Sequence, residues 1–213
     1  MRSAAAGKVA LRGGARSAAR SDTASRPTGP RPTGAAPALA LGSGSLPRLI
    51  SAGPPAEWRF DGLTVVIGTE RAELRYAREP VGSAQPAPDA IFEAVARARR
   101  RLAQRSRGPD ELLPALAQAY AVVLARRHGQ PGDRVPLVEV RDELADGTHA
   151  QFAWDIARLR RERRLVIGGH RVDLGVATGH ATARRSQIVW IEDDGGGGSY
   201  FASFRLIAQE IQS

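Results

Sequence analysis

The chain of 213 residues has no cysteine. That excludes a disulfide framework, a thiolate zinc site and a thiol nucleophile. A reducing compartment fits such a composition, and a cytoplasmic location is the expectation. Lysine is almost missing: Lys8 stands beside thirty arginines. The codon bias of a GC-rich genome accounts for that ratio more readily than selection of Arg for phosphate contacts. Aromatic residues make up only 5%, so the core must rest on Leu, Val, Ile and Ala, which the 42% of apolar residues makes possible. No apolar run approaches the ~20 residues needed to cross a bilayer, and no membrane association is expected. The first residues lack the apolar stretch of a secretory signal. They are rich in Arg, Ser and Ala and poor in acid, a character shared by organelle transit peptides and by an extended translation start.

Catalytic templates are missing too. There is no GxGxxG after a strand, no GxxxxGK, no GxSxG elbow and no HExxH. The carboxylates are scattered, with none set as an acid/base pair. The four histidines, His128, His149, His170 and His180, have no metal-ligand spacing, although His170 and His180 flank Asp173. The expectation is a non-catalytic protein without cofactor or metal.

What is present is positive charge, unevenly placed. Of the net +9, most belongs to residues 1–56, which hold eight basic residues and one acid, Asp22. This segment mixes Ala, Gly, Ser, Pro and Arg without period, and nearly repeats Arg-Pro-Thr-Gly at Arg26 and Arg31. Such a composition buries too little apolar surface to offset its ordering entropy, and is expected to be a disordered basic tail. Across residues 57–213 the charge is nearly balanced.

From residue 57 to 108 the pattern is that of a β-hairpin followed by a basic helix. Leu63-Thr64-Val65-Val66-Ile67 is a β-branched run, and Ala72, Leu74 and Tyr76 alternate with Arg71, Glu73 and Arg75. A turn at 68–70 joins them. Val81 to Pro88 reads as a linker. Asp89 is placed to cap a helix to about Arg105, with Ile91, Phe92, Val95 and Leu102 on one face and Arg97, Arg99, Arg100 and Arg101 around the rest.

Residues 109–213 carry a longer succession. Leu112, Leu116, Tyr120, Val123 and Leu124 mark a helix that stops at Gly129. Val135-Pro136-Leu137 is a short strand, Val138 to Ala145 a brief helix, and Asp146-Gly147 a tight turn. Thr148 and Gln151 have the spacing of a capping box, in which each side chain takes the other's backbone N–H. The helix so begun runs to Arg163, with Phe152, Ile156 and Leu159 inward and Gln151, Trp154, Asp155, Arg158, Arg161 and Glu162 outward. Leu165 to Ile167 is a strand, His170 to Ser186 a polar excursion, Ile188 to Ile191 a strand, and Tyr200 to Ile207 a last strand.

This order resembles the winged helix-turn-helix superfamily over roughly residues 110–207. The resemblance implies an α+β fold with a winged-helix domain, and recognition of duplex DNA, in the manner of a transcription regulator, through the Thr148-capped helix. Gln151 would then pair with adenine, and Arg158 or Arg161 with guanine or phosphate. Arg171, Arg184 and Arg185, in the wing, would touch backbone or minor groove. Trp154 on the same outer face points instead to a protein contact or homodimer, because exposed Trp is characteristic of protein interfaces. Asp155 and Glu162 would repel phosphate. A winged helix serving protein assembly is therefore the competing expectation.

Overall fold

A computed structural model describes residues 47–60, 62–144, 147–179, 185–193 and 197–208. They form an α+β fold of four helices and two antiparallel sheets. The first 46 residues, most of the expected tail, lie outside the described residues.

The first sheet is a meander in chain order, β1 (Arg48–Ser51), β2 (Ala56–Phe60), β3 (Leu63–Ile67), β4 (Ala72–Tyr76) and β5 (Glu79–Ala84). The period-2 pattern works as expected at its centre. Leu63, Val65, Ala72, Leu74 and Tyr76 are buried, while Arg75 and Glu73 pair on the other face at 2.9 Å. The expected hairpin is thus the middle of a larger sheet. Its two edge strands fall where none was expected. β1 lies inside the expected tail and pairs with β2, with Leu49 and Ile50 each 45% exposed. β5 occupies the expected linker, and its Pro80 and Gly82 are tolerated because an edge strand leaves one row of backbone groups unpaired.

Helix α1 (Pro88–Gln104) starts with Pro88 in its first turn and uses Asp89 as a first-turn acid; Asp89 does not cap it. Ile91, Phe92, Val95 and Leu102 are buried as expected. Helix α2 (Pro109–Arg126) buries Leu112, Leu116, Tyr120 and Val123. Its closing turn is taken by His128 at φ 54°, one residue before Gly129, whose N–H donates to the Leu124 carbonyl at 3.0 Å.

Then come β6 (Val135–Pro136), α3 (Leu137–Glu143), α4 (His149–Arg161), β7 (Val166–Ile167), β8 (His170–Val176), β9 (Val189–Glu192) and β10 (Gly198–Ala208). The second sheet has the order β6-β10-β8-β7, and β9 pairs with the first residues of β10. Strand β10 is its axis, with eleven residues bonded to three neighbours. Gly168 and Gly169, both at positive φ, make the two-residue turn between β7 and β8. The polar excursion expected from His170 is therefore a strand for its first seven residues. The alternation of Val172, Leu174 and Val176 specifies it, with Val172 buried and Val176 exposed.

One apolar cluster runs from the meander through α1, α2 and α4 to β10, across residues 108 and 109 without a break. Tyr76 sits at its middle, fully buried. Its ring meets Trp154 of α4 edge-on at 5.4 Å and Trp190 of β9 edge-on at 5.7 Å. Its hydroxyl donates to Glu192 Oε2 at 3.2 Å. Burial, and the neighbouring Glu192 carboxylate, push the phenol well above its ordinary pKa, so it stays a neutral donor. Among the described residues, no helix is long and apolar enough to cross a membrane.

Candidate nucleic-acid interface

The start of α4 forms as its sequence dictates, in half. Thr148 Oγ1 accepts the Gln151 backbone N–H at 3.1 Å. The reciprocal bond is replaced: Gln151 Nε2 donates instead to the Leu102 carbonyl of α1 at 3.1 Å and to Asp155 Oδ1 at 3.2 Å. The second free donor of the helix start, Ala150 N–H, is taken by Glu79 Oε2 of β5 at 2.7 Å.

The rest of α4 departs from the expected amphipathic pattern. Gln151 is 8% exposed, Trp154 6% and Asp155 0%. The face expected to be outward is covered by α1 and the first sheet. Ala150, Ala153 and Ala157 explain how, because they form a second stripe of buried small residues beside Phe152, Ile156 and Leu159. Methyl side chains let neighbouring elements approach α4 on that side too. Gln151 and Trp154 are consequently core residues. Neither is open to a base edge or to a protein partner.

The buried seam between α1 and α4 is polar. Ser106 Oγ donates to Asp155 Oδ1. Burial raises the Asp155 pKa, opposed by the hydrogen bonds from Ser106 and Gln151 and by Arg158 and Arg107 nearby. Asp155 Oδ2, Trp154 Nε1 and Arg158 Nε have no hydrogen-bond partner among the described residues. Arg158 is half-buried and donates through Nη2 to the Arg107 carbonyl, so it ties α4 to the segment after α1.

What remains open on α4 is its last turn. Arg160 and Arg161 are exposed, as are Arg163 and Arg164 just after it and Arg171 on β8. Arg161 lies over the Trp154 ring at 5.9 Å, and Arg99 of α1 lies over the same ring at 5.7 Å. Arg160 lies over Phe201 at 5.1 Å. Arg160, Arg163 and Arg171 share the walls of a shallow groove of about 400 Å³ floored by Val172 and Phe201. Of the sequence-derived candidates, this arrangement keeps Arg161 and Arg171 at the surface. It adds Arg160 and Arg163, and brings the half-buried Arg99 of α1 beside them. Arg185 opens a short 3-10 turn, Arg185–Gln187, and Arg184 lies outside the described residues.

Charge is satisfied unevenly over the surface. Around α2, α3 and the second sheet, arginines have carboxylates: Arg126 with Glu143, Arg127 with Glu139, and Arg134 and Arg205 both with Asp173. Asp173 is thereby engaged, and among the described residues no group of three His, Asp or Glu side chains is placed to hold a metal. Around the end of α4, Arg160, Arg161, Arg163 and Arg171 have no ion pair among the described residues, and only Arg164 reaches one, Asp110 at 3.8 Å. The side-chain chemistry there is dominated by donors, guanidinium forks suited to phosphate oxygens with aromatic rings beneath two of them, although the exposed Glu162 places a carboxylate among them.

No family model, curated protein or solved structure matches this chain.

Proposed function

We propose that the protein binds duplex DNA without catalysis, by its phosphate backbone, through Arg160, Arg161, Arg163 and Arg171. The observation that carries this reading is the clustering of four exposed arginines, Arg160, Arg161, Arg163 and Arg171, around the end of α4 with no ion pair among the described residues, whereas those around α2, α3 and the second sheet meet carboxylates. A cluster of unpaired guanidinium groups is the electrostatic footprint of a polyanion site.

The succession α2, β6, α3, α4, β8, β10, with β10 lying between β6 and β8, supports a winged-helix reading of this part of the chain. In that reading β8 and β10 carry the wing, and Arg171 lies on it. The binding differs from the usual mode of that superfamily, because the middle of α4 is covered by α1. The end of α4 and the wing hold phosphate, and base reading by Gln151 plays no part. Recognition is then of duplex shape and charge more than of sequence. A protein-assembly role loses the residue that favoured it, since Trp154 is in the core.

The test is fluorescence anisotropy of a labelled random-sequence duplex titrated with the full chain. The triple variant R161A/R163A/R171A is expected to bind more weakly by about tenfold or more, equivalent to at least ~1.4 kcal/mol. Equal affinity of wild type and triple variant would contradict the reading.

A further inference from the structure

A cleft of about 640 Å³ lies between α1, β5 and the start of α4. That size is in the range of small-molecule sites. Arg101 and Arg105, one helical turn apart, line it with Arg107, and Glu111 is the one carboxylate among its lining residues. Arg101, Arg105 and Arg107 have no ion pair among the described residues; Arg101 Nη1 reaches only the Val81 carbonyl, at 3.5 Å. Val81, Ala98 and Leu102 give the cleft an apolar wall, and Ala98 and Leu102 are buried. Thr148 Oγ1 already accepts the Gln151 N–H, which leaves its hydroxyl proton free to donate.

We propose that this cleft binds a small phosphate monoester with an aliphatic body. Among the described lining residues, three guanidinium groups stand against one carboxylate, an excess that matches a phosphate dianion better than a carboxylate. Guanidinium forks suit tetrahedral phosphate oxygens, and Thr148 adds a neutral donor. Among the described residues, the lining contains no aromatic ring to stack a nucleobase, so the body of the ligand rests on Val81, Ala98 and Leu102 and is aliphatic. Arg101, Arg105 and Arg107 take no part in the proposed DNA contacts, so this site stands or falls separately.

Isothermal titration calorimetry of the full chain with hexyl phosphate, inorganic phosphate and hexanol tests the proposal. Hexyl phosphate is expected to bind one site per chain, inorganic phosphate more weakly, and hexanol not measurably. R101A/R105A is expected to lose about tenfold or more of the hexyl phosphate affinity, with its circular dichroism unchanged because both side chains are exposed. R126A/R127A removes the same charge at the end of α2 and is expected to keep that affinity. Absence of saturable binding, equal affinity in R101A/R105A, an equal loss in both double variants, or inorganic phosphate binding as tightly as hexyl phosphate would each overturn the assignment.

Discussion

The side-chain amide of Gln151 on α4 donates to the backbone carbonyl of Leu102 on α1 at 3.1 Å, inside the protein. The bond joins two helices whose outer faces both looked solvent-bound from sequence. It makes Gln151 a structural residue, and a direct consequence follows for its replacement. Gln151→Ala leaves the Leu102 carbonyl and the Asp155 carboxylate short of a donor in a buried seam. A loss of about 1–3 kcal/mol is expected, measured by urea denaturation. Duplex affinity of the folded variant is expected to match wild type.

Asp155 gives the fold a pH dependence of defined sign. Its folded pKa is raised above the ordinary 3.8, chiefly by burial. Between those two values the folded state holds the proton more tightly than the unfolded chain, so stability falls as pH rises through that window. Above the folded pKa the cost of the buried charge is fully present. Asp155→Asn removes this contribution. The wild type is therefore expected to gain stability relative to the Asn variant as pH is lowered toward 4, in parallel denaturation series.

Gly62 sits at φ +81°, and a Cβ there would collide with the Glu192 carboxylate. The backbone conformation alone costs a non-glycine residue about 1–2 kcal/mol. The collision adds to it, because Glu192 is held by the Tyr76 hydroxyl. Gly62→Ala is expected to lower Tm and to shift near-ultraviolet circular dichroism from the Tyr76 and Trp190 rings. A Tm equal to wild type would contradict this packing.

Tyr76→Phe keeps the two edge-on ring contacts but removes the donor to Glu192. An expected cost of about 1–3 kcal/mol reflects a buried carboxylate with one bond fewer. Tyr76→Ala also opens a cavity between the meander, α4 and β9. Its expected cost is larger, about 3–5 kcal/mol. Denaturation midpoints of the two variants separate the hydrogen bond from the packing.

Much of the local structure was legible in the residues. The alternation across β3 and β4, the Thr148 cap and the apolar repeat of α2 each specify their element from contacts a few residues away. Edge strands β1 and β5 were not legible, because Pro, Gly and Ser resemble a linker until a neighbouring strand supplies partners. The outer face of α4 was misread for a similar reason. Gln151 and Trp154 are polar or amphipathic, and only the packing of α1 and Tyr76 against them makes them core. Ala150, Ala153 and Ala157 held the clue, since three small residues at that spacing permit close approach. Of the candidate interface, Arg161 and Arg171 were visible as exposed arginines. Arg99 comes beside them only through folding, because α1 is distant from α4 in sequence, whereas Arg160 and Arg163 are chain neighbours of Arg161 and their exposure depends on what covers the end of α4.

The most direct measurement is the salt dependence of duplex affinity for the full chain and for R161A/R163A/R171A. Each phosphate contact contributes roughly −0.9 to the slope of log affinity against log salt. Any contribution from residues 1–46 is common to both proteins and cancels in the difference. The account predicts a triple-variant slope shallower by about 2 to 3. Identical slopes would contradict it, and would show that the arginines around the end of α4 do not contact DNA.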